Sequence, residues 1–230
     1  MLNSQSLLTP TRVKNSVKEK KELISNYLTP QKLKITNFNM LIVVYKQEKQ
    51  LQVFIKHKDS FKYNYLLTYN ICSSSGDLGP KRKEGDLQVP EGIYYISQFN
   101  PYSNFYLSLK VNYPNASDKI LSDKTAPGGD IYIHGSCVTI GCIPITDDKI
   151  KELYLFAAYS TINGQSRIPV YIFPFEMNQS NFDFYTKQSQ HLKNINFWTN
   201  LKQGYDLFVN NKKELKYNIN PNGQYIFKTK

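Results

Sequence analysis

Short apolar runs rich in β-branched and aromatic residues, each bounded by turn-forming residues, recur along this chain and favour a β-rich fold. The runs Met40–Tyr45 and Leu51–Lys56 are joined by the polar residues 46–50, and a third run spans Tyr63–Ile71. Two such runs with a short polar link are typical of antiparallel strands. The sequence therefore predicts a three-strand meander at the start of the folded domain.

More strands are predicted beyond a loop rich in serine and glycine, Cys72–Gly92. These strands are expected at Ile93–Gln98, Phe105–Val111, Ile131–His134, Val170–Phe175 and Gln224–Phe227. Pro174 interrupts the run 170–175. Because proline donates no ladder hydrogen bond, that strand is expected to end at an edge of the sheet.

Helices are predicted outside the strand runs. A lysine-rich amphipathic helix is expected before Pro30, and a second one from Thr146, whose hydroxyl can cap the first turn, to about Tyr159. Residues 177–193 are expected to be helical or irregular, and Phe197–Val209 is an aromatic amphipathic segment. The sequence as a whole indicates a mainly β fold with peripheral helices.

Composition limits the classes of function. A chain of 230 residues with 40% hydrophobic content can bury a core, and its 29 basic against 18 acidic residues favour anionic surroundings. Nucleic-acid binding that reads bases is disfavoured because arginines are few.

The longest plainly apolar run, Met40–Tyr45, is far shorter than the ~20 residues of a membrane span. No charged-then-apolar export signal is found at Met1. An exported protein whose signal was removed before numbering would have the same start.

The segment Ile131–Pro144 concentrates the reactive side chains. It holds a histidine, two glycines, two hydroxyls and two thiols between a predicted strand and a predicted helix. Cysteine attacks as its thiolate, and a nearby imidazole can take the proton. His134 and Cys142 lie eight residues apart, a spacing that a tight loop can close. We predict Cys142 as a nucleophile and His134 as its base.

Neighbouring residues fit this chemistry. Gly141 permits a bent backbone, so the amides of Gly141 and Cys142 can point at a developing oxyanion. Gly135 lets the chain turn away and leaves its carbonyl to hold the far nitrogen of the imidazole. The helix that begins near Thr146 can add a positive field at the sulfur.

The same segment resembles the signature of the YkuD-type L,D-transpeptidases, a His-Gly pair followed by Ser/Thr-x-Gly-Cys, here His134-Gly135 and residues 139–142. Many members carry a second histidine where this chain has Ile140, and its absence resembles the YafK-like branch of the family. Further similarities are at Leu78–Arg82, Gly85-Asp86, Pro90–Gly92, Tyr94, Thr146–Asp148 and Ile172–Phe175.

The resemblance implies a β-sandwich or barrel catalytic domain over residues 37–176. It would follow a helical, polar segment, residues 1–36, and precede a C-terminal extension, residues 177–230, packed on the domain. The resemblance also implies that four residues support the catalytic pair or stabilise the oxyanion: Gly135, Ser136, Thr139 and Gly141.

In that family the cysteine attacks the L-centre carbonyl of a diaminopimelate-type residue in a peptidoglycan stem peptide, expels the following D-residue and forms a thioester. An amine acceptor gives a cross-link, and water gives hydrolysis. The YafK-like branch includes enzymes that release wall-attached lipoprotein, so an amidase that frees lipoprotein or trims stem peptides is the alternative. The resemblance also implies export to the periplasm or cell envelope, and acylation of the cysteine by carbapenems.

Other interpretations stay open. A wall-binding module without catalysis has the same fold, and a different cysteine hydrolase would need a downstream His-Asn or His-Asp pairing that this chain lacks. A zinc site of His134, Cys137, Cys142 and Cys72 is disfavoured because the paired short spacings of zinc sites are absent. No metal or other cofactor is expected.

The sequence gives weaker indications of function for cysteine and histidine residues other than Cys142 and His134. Cys137 fits a resolving thiol or a disulfide with Cys142, but packing as a small hydrophobe is favoured. His57 and His191 lie in polar stretches and are expected at the surface.

The basic pair Lys81 and Arg82 is a candidate clamp for stem-peptide carboxylates, with ordinary solvated charge as the alternative. A final aromatic set is expected to dock the tail on the domain rather than to bind glycan: Tyr205, Phe208, Tyr225 and Phe227.

Overall fold

A curled sheet of eight strands forms the centre of the protein, in a computed structural model that describes residues 4–228. Met1–Asn3, the start of the predicted N-terminal segment, lie outside the described residues. In chain order the strands are β1 Phe38–Tyr45, β2 Gln50–His57, β3 Asn64–Asn70, β4 Gly92–Asn100, β5 Ser108–Val111, β6 Tyr132–His134, β7 Ile143–Pro144 and β8 Pro169–Phe173. Their order across the sheet is β3-β2-β1-β8-β4-β5-β6-β7.

The first three strands form the predicted meander. β1 pairs with β2, and β2 with β3, both antiparallel. A separate hairpin of β9 Tyr217–Ile219 and β10 Tyr225–Phe227 closes the chain. The closing strand was predicted. Its partner β9 was missed because three residues give too short a pattern.

The prediction that strand 170–175 ends at a sheet edge is wrong. β8 lies inside the sheet, parallel to β1 and antiparallel to β4. Pro174 follows the last residue of the strand, so it removes no hydrogen bond from the ladder. All five residues of β8 are buried, as expected of a strand paired on both sides.

Helices cover both faces of the sheet. They are α1 Thr11–Leu28, α2 Ala116–Leu121, α3 Asp147–Ile162, α4 Gln179–Thr186 and α5 Ile195–Asn211, with 3₁₀ helices at Ser4–Leu8, Thr29–Gln31 and Ser189–Asn194. Side chains alternate between the faces of a strand, so Met40 and Ile42 of β1 join a core with α1 and α3. Leu41 and Val43 join a second core with Trp198 of α5.

The second core confirms the docking role predicted for the aromatic set. Tyr205, Phe208 and Tyr225 are buried in it, and Phe227 packs against it. The fold is therefore mainly β at its centre with peripheral helices, as predicted. No helix within residues 4–228 combines the length and the apolar character needed to cross a lipid bilayer.

Candidate active site

A parallel pair of strands brings His134 and Cys142 onto one face of the sheet. His134 is the last residue of β6, and β7 begins directly after Cys142. The register joins Ile133 to Ile143 and His134 to Pro144. If this register is extended by one residue, Cys142 lies opposite Tyr132. Tyr132 and His134 share a face because alternate residues of a strand point the same way, so Cys142 is expected on the face of His134.

The His134 ring is fixed in one orientation. The side chain is only 1% exposed and lies beside the Phe105 ring, with the ring centroids 4.6 Å apart. Its Nδ1 is 2.5 Å from the carbonyl oxygen of Gly135, the contact predicted from the sequence. A carbonyl only accepts, so Nδ1 carries the proton and Nε2 is left as the basic nitrogen.

Burial lowers the pKa of His134, and the hydrogen bond to Gly135 partly offsets this effect. The imidazole is therefore neutral at neutral pH and can accept a proton. Burial also raises the pKa of Cys142; the Tyr132 backbone and Lys81 act in the opposite direction, and Asp130 raises it further. The resting site thus holds a neutral thiol and a neutral imidazole, a combination in which a general base is needed.

The thiol of Cys142 points at the backbone in this state. Its Sγ donates to the carbonyl oxygen of Asp130 at 3.5 Å. Within residues 4–228 no hydrogen bond joins this sulfur to the imidazole, so the attack on a substrate requires Sγ to turn from Asp130 toward His134.

The second helix begins at the predicted residue, and its first turn contacts the loop after His134. Thr146 caps α3 as predicted, with its hydroxyl accepting from the Lys149 amide at 3.4 Å. Asp147 in the first turn accepts from the Ser136 amide at 2.8 Å. The start of α3 therefore anchors the loop after His134, and the pKa of Cys142 is raised rather than lowered.

Close contacts explain both glycines of the motif. A Cβ on Gly135 would lie 2.5 Å from Oδ1 of Asp147 and 2.8 Å from the Phe105 carbonyl oxygen, too close for any larger residue. Gly141 has a φ of +132° and its backbone runs beside the carbonyl of Gln88. Both positions let the loop turn tightly around the active site.

Thr139 ties the backbone on both sides of Gly141. Its Oγ1 accepts from the Gly141 amide at 3.1 Å and donates to the Cys142 carbonyl at 2.9 Å. The Gly141 amide, predicted as an oxyanion donor, is thus held by Thr139 in this state. The Cys142 amide is the remaining candidate from the predicted pair.

The packing role favoured for Cys137 is wrong, because Cys137 forms a disulfide with Cys72, with the Cα atoms 5.4 Å apart. The two residues lie 65 positions apart, and no local pattern links them. Both are exposed. The disulfide ties the loop after β3 to the loop before Cys142, and it leaves Cys142 as the free cysteine.

Cys142 opens onto a groove of about 740 Å³. One wall is the loop 73–78, and the opposite wall comes from the C-terminal extension through Phe184, Tyr185, Gln188, Gln190, His191 and Lys193. The sequence did not indicate this second wall, because its residues lie more than 40 positions from Cys142 in a mostly polar segment.

The surface position predicted for His191 is wrong. His191 is 6% exposed, and its ring centroid lies 5.2 Å from that of Trp198. Docking of α5 on the sheet covers it, an effect of tertiary packing that its polar neighbours in sequence conceal. His57 is at the surface as predicted, with 42% of its side chain exposed.

The two candidate clamp residues differ in exposure. Lys81 is buried and its Nζ lies 2.6 Å from Oδ1 of Asp86, so its charge is already paired. Arg82 pairs with Asp118 at 3.3 Å, and its guanidinium lies 4.9 Å from the Phe197 ring centroid. Arg82 also lines a second cavity of about 540 Å³. Of the two, Arg82 is the residue a ligand can reach.

Within residues 4–228 no group of three or more His, Cys, Asp or Glu side chains could hold a metal ion.

Comparison with known proteins identifies relatives of this arrangement. Residues 39–172 match the sequence model of the YkuD family, the L,D-transpeptidase catalytic domain. YafK of Escherichia coli strain K12, a provisionally named L,D-transpeptidase, is 34% identical over 187 residues, which are 80% of this chain and 72% of YafK. YafK of Escherichia coli O157:H7 gives the same values.

Two solved structures are also similar. The helical cell shape determining protein Pgp2 from Campylobacter jejuni is 20% identical with a TM-score of 0.46, over 80% of this chain and 67% of Pgp2. Bd1075 from Bdellovibrio bacteriovorus is 22% identical with a TM-score of 0.43, over 76% and 67% of the two chains. The family match rests on sequence, and it spans both His134 and Cys142.

Proposed function

Because this chain belongs to the L,D-transpeptidase catalytic domain family, we propose that it catalyses cysteine-dependent acyl transfer on peptidoglycan stem peptides. One observation carries the proposal. Cys142 directly precedes β7, which pairs in parallel with the strand that ends at His134, and the contact of Nδ1 with the Gly135 carbonyl leaves Nε2 as the basic nitrogen. We place the reaction in the periplasm or cell envelope, where such a substrate occurs.

The first half-reaction forms a thioester. Sγ of Cys142 attacks the L-centre carbonyl carbon of a diaminopimelate-type residue, and the thiol proton passes to Nε2 of His134. The tetrahedral intermediate then collapses and breaks the bond to the following D-residue. The imidazolium returns its proton to the departing amine, so His134 ends this step neutral.

The second half-reaction regenerates the thiol. An amine or a water molecule attacks the thioester carbonyl, and His134 takes the proton of the attacking group. When the intermediate collapses, Cys142 leaves as a thiolate and His134 returns the proton to the sulfur. An amine from another stem gives a cross-link. Water gives hydrolysis, the amidase alternative, which includes release of a wall-attached lipoprotein.

Local electrostatics support these roles. Burial favours the neutral form of both groups, so the thiol gives up its proton to His134 as Sγ attacks and not before. The amide of Cys142 is the proposed donor to the oxyanion. Thr139, Gly141, Gly135 and Ser136 are proposed to hold the loop that aims this amide.

Mass spectrometry of muropeptides incubated with the purified protein tests the proposal. We expect shortened stems when water is the acceptor and new dimers when an amine stem is added. Cys142→Ala should abolish both products and the mass increment left by a carbapenem.

The matched control removes the other two cysteines, which form the disulfide. Cys72→Ala/Cys137→Ala keeps Cys142, so it should retain the carbapenem adduct. Turnover by Cys142→Ala would refute the assignment. Binding to intact sacculi with no product from any muropeptide would instead support a wall-binding module.

A further inference from the structure

The C-terminal extension places an imidazole, that of His191, in the groove that contains Cys142. His191 belongs to the 3₁₀ helix Ser189–Asn194, beyond the family match at 39–172. It is nine-tenths buried, contacts the rings of Tyr185 and Trp198, and lines the groove. Within residues 4–228 neither ring nitrogen has a hydrogen-bond partner.

The His191 nitrogens are not among the fully buried polar atoms of the described residues, so a group in the groove can reach them. Trp198 packs against the imidazole and does not line the groove, whereas His191 does, so a ligand can approach His191 from the groove. A substrate in the groove is therefore the natural partner for its N–H donor or its free nitrogen.

Charges of both signs surround this imidazole. Lys193 and Asp77 line the same groove, are exposed, and form no ion pair within the described residues. Both act on the titration of His191: Asp77 raises its pKa and Lys193 lowers it, while burial is the largest influence and lowers it. Glu91 also raises it, but Glu91 is already paired with Lys46 at 2.9 Å.

Within the described part of the chain, Lys193 is an unpaired cation and Asp77 an unpaired anion in the groove that His191 lines. Together they match a zwitterion, which carries both charges, better than they match a ligand that is only an anion. The free α-amino and carboxylate groups of an amino-acid end form such a zwitterion. A diaminopimelate-type side chain ends in these two groups, whereas a lysine side chain has the amine alone.

We propose that His191, Lys193 and Asp77 form a specificity subsite that binds the zwitterionic end of the diaminopimelate-type residue next to Cys142. Lys193 and the His191 N–H bind the carboxylate, and Asp77 binds the ammonium. This inference rests on the proposed function. It assigns part of substrate selection to His191 and Lys193, which lie outside the matched catalytic domain.

Binding measured without turnover tests the subsite. In a Cys142→Ala background, calorimetry compares a tetrapeptide containing diaminopimelate with one containing lysine. We expect the diaminopimelate peptide to bind at least about tenfold more tightly, since a hydrogen bond to a charged group contributes about 1.5–3 kcal/mol. Lys193→Gln should reduce this preference to near unity, whereas Asp77→Asn should weaken both peptides.

Histidine variants separate hydrogen bonding from packing. His191→Phe keeps an aromatic ring against Tyr185 and Trp198 and should lose about tenfold in affinity for the diaminopimelate peptide, and His191→Gln should recover part of it. His57→Phe, at an exposed histidine outside the groove, is the matched control and should bind like the parent. Thermal melting checks that each variant is folded.

The outcomes distinguish the two proposals. If the wild-type protein turns over muropeptides but the peptide preference survives in folded Lys193→Gln and His191→Phe variants, the subsite is refuted and the proposed function stands. If no muropeptide is turned over or acylates Cys142, the proposed function itself fails.

Discussion

The indole N–H of Trp198 donates a 2.8 Å hydrogen bond to Oε2 of Glu91. This bond joins α5 of the C-terminal extension to the residue that directly precedes β4. The other carboxylate oxygen of Glu91 accepts from the Gly79 amide at 2.7 Å and pairs with Lys46. A buried network therefore fixes the spacing of the two walls around Cys142.

Trp198→Phe should destabilise the protein by about 1–3 kcal/mol, because it leaves one buried oxygen of Glu91 without its donor. Urea unfolding measures the change. Thr199→Ala, at the exposed neighbouring position of α5, is the control and should change the free energy of unfolding little. Equal stabilities for the two variants would show that the hydrogen bond does not hold the extension in place.

Removal of the Cys72–Cys137 disulfide should lower the free energy of unfolding by about 2–4 kcal/mol, since it closes a loop of 65 residues in the unfolded chain. Denaturation of Cys72→Ser/Cys137→Ser measures this loss. A reductant should reproduce it in the wild-type protein and have no effect on the double variant. A reductant effect that persists in the double variant would contradict the prediction.

Thr139→Val should lower kcat about tenfold or more, because it removes the hydroxyl that holds both the Gly141 amide and the Cys142 carbonyl while keeping the side-chain shape. Thr139→Ser should restore most of the rate. Steady-state kinetics on a stem peptide provide the comparison. Full activity in the valine variant would mean that the loop is held without Thr139.

The pH profile of kcat/KM should have an acid limb with its midpoint below 6.5, the ordinary pKa of histidine. His134 must be neutral to accept the thiol proton, and burial lowers its pKa, so activity is retained below pH 6.5 and lost as the imidazole protonates. An acid limb with a midpoint above pH 7 would indicate that His134 is stabilised as a cation.

Local patterns were sufficient for much of the fold and for selecting the proposed catalytic pair. Alternating apolar residues located the meander, and Thr146 located the start of α3. His134 and Cys142 could be predicted because their motif lies within one short segment between a strand and a helix. In each case the interacting residues are near one another in sequence.

Features that depend on distant contacts could not be predicted in this way. The parallel pairing of β1 with β8 joins residues more than 120 positions apart. The disulfide partner of Cys137 and the burial of His191 are likewise set by tertiary packing. No periodicity or spacing in the sequence encodes such contacts.

The most direct measurement is the site of acylation during turnover. The purified protein is quenched with acid while it processes a tetrapeptide, digested, and mapped by mass spectrometry. The proposed mechanism predicts a tripeptide acyl group on Cys142 that is absent in Cys142→Ala and does not accumulate in His134→Asn. An acyl group on another residue, or product formation by Cys142→Ala, would contradict it.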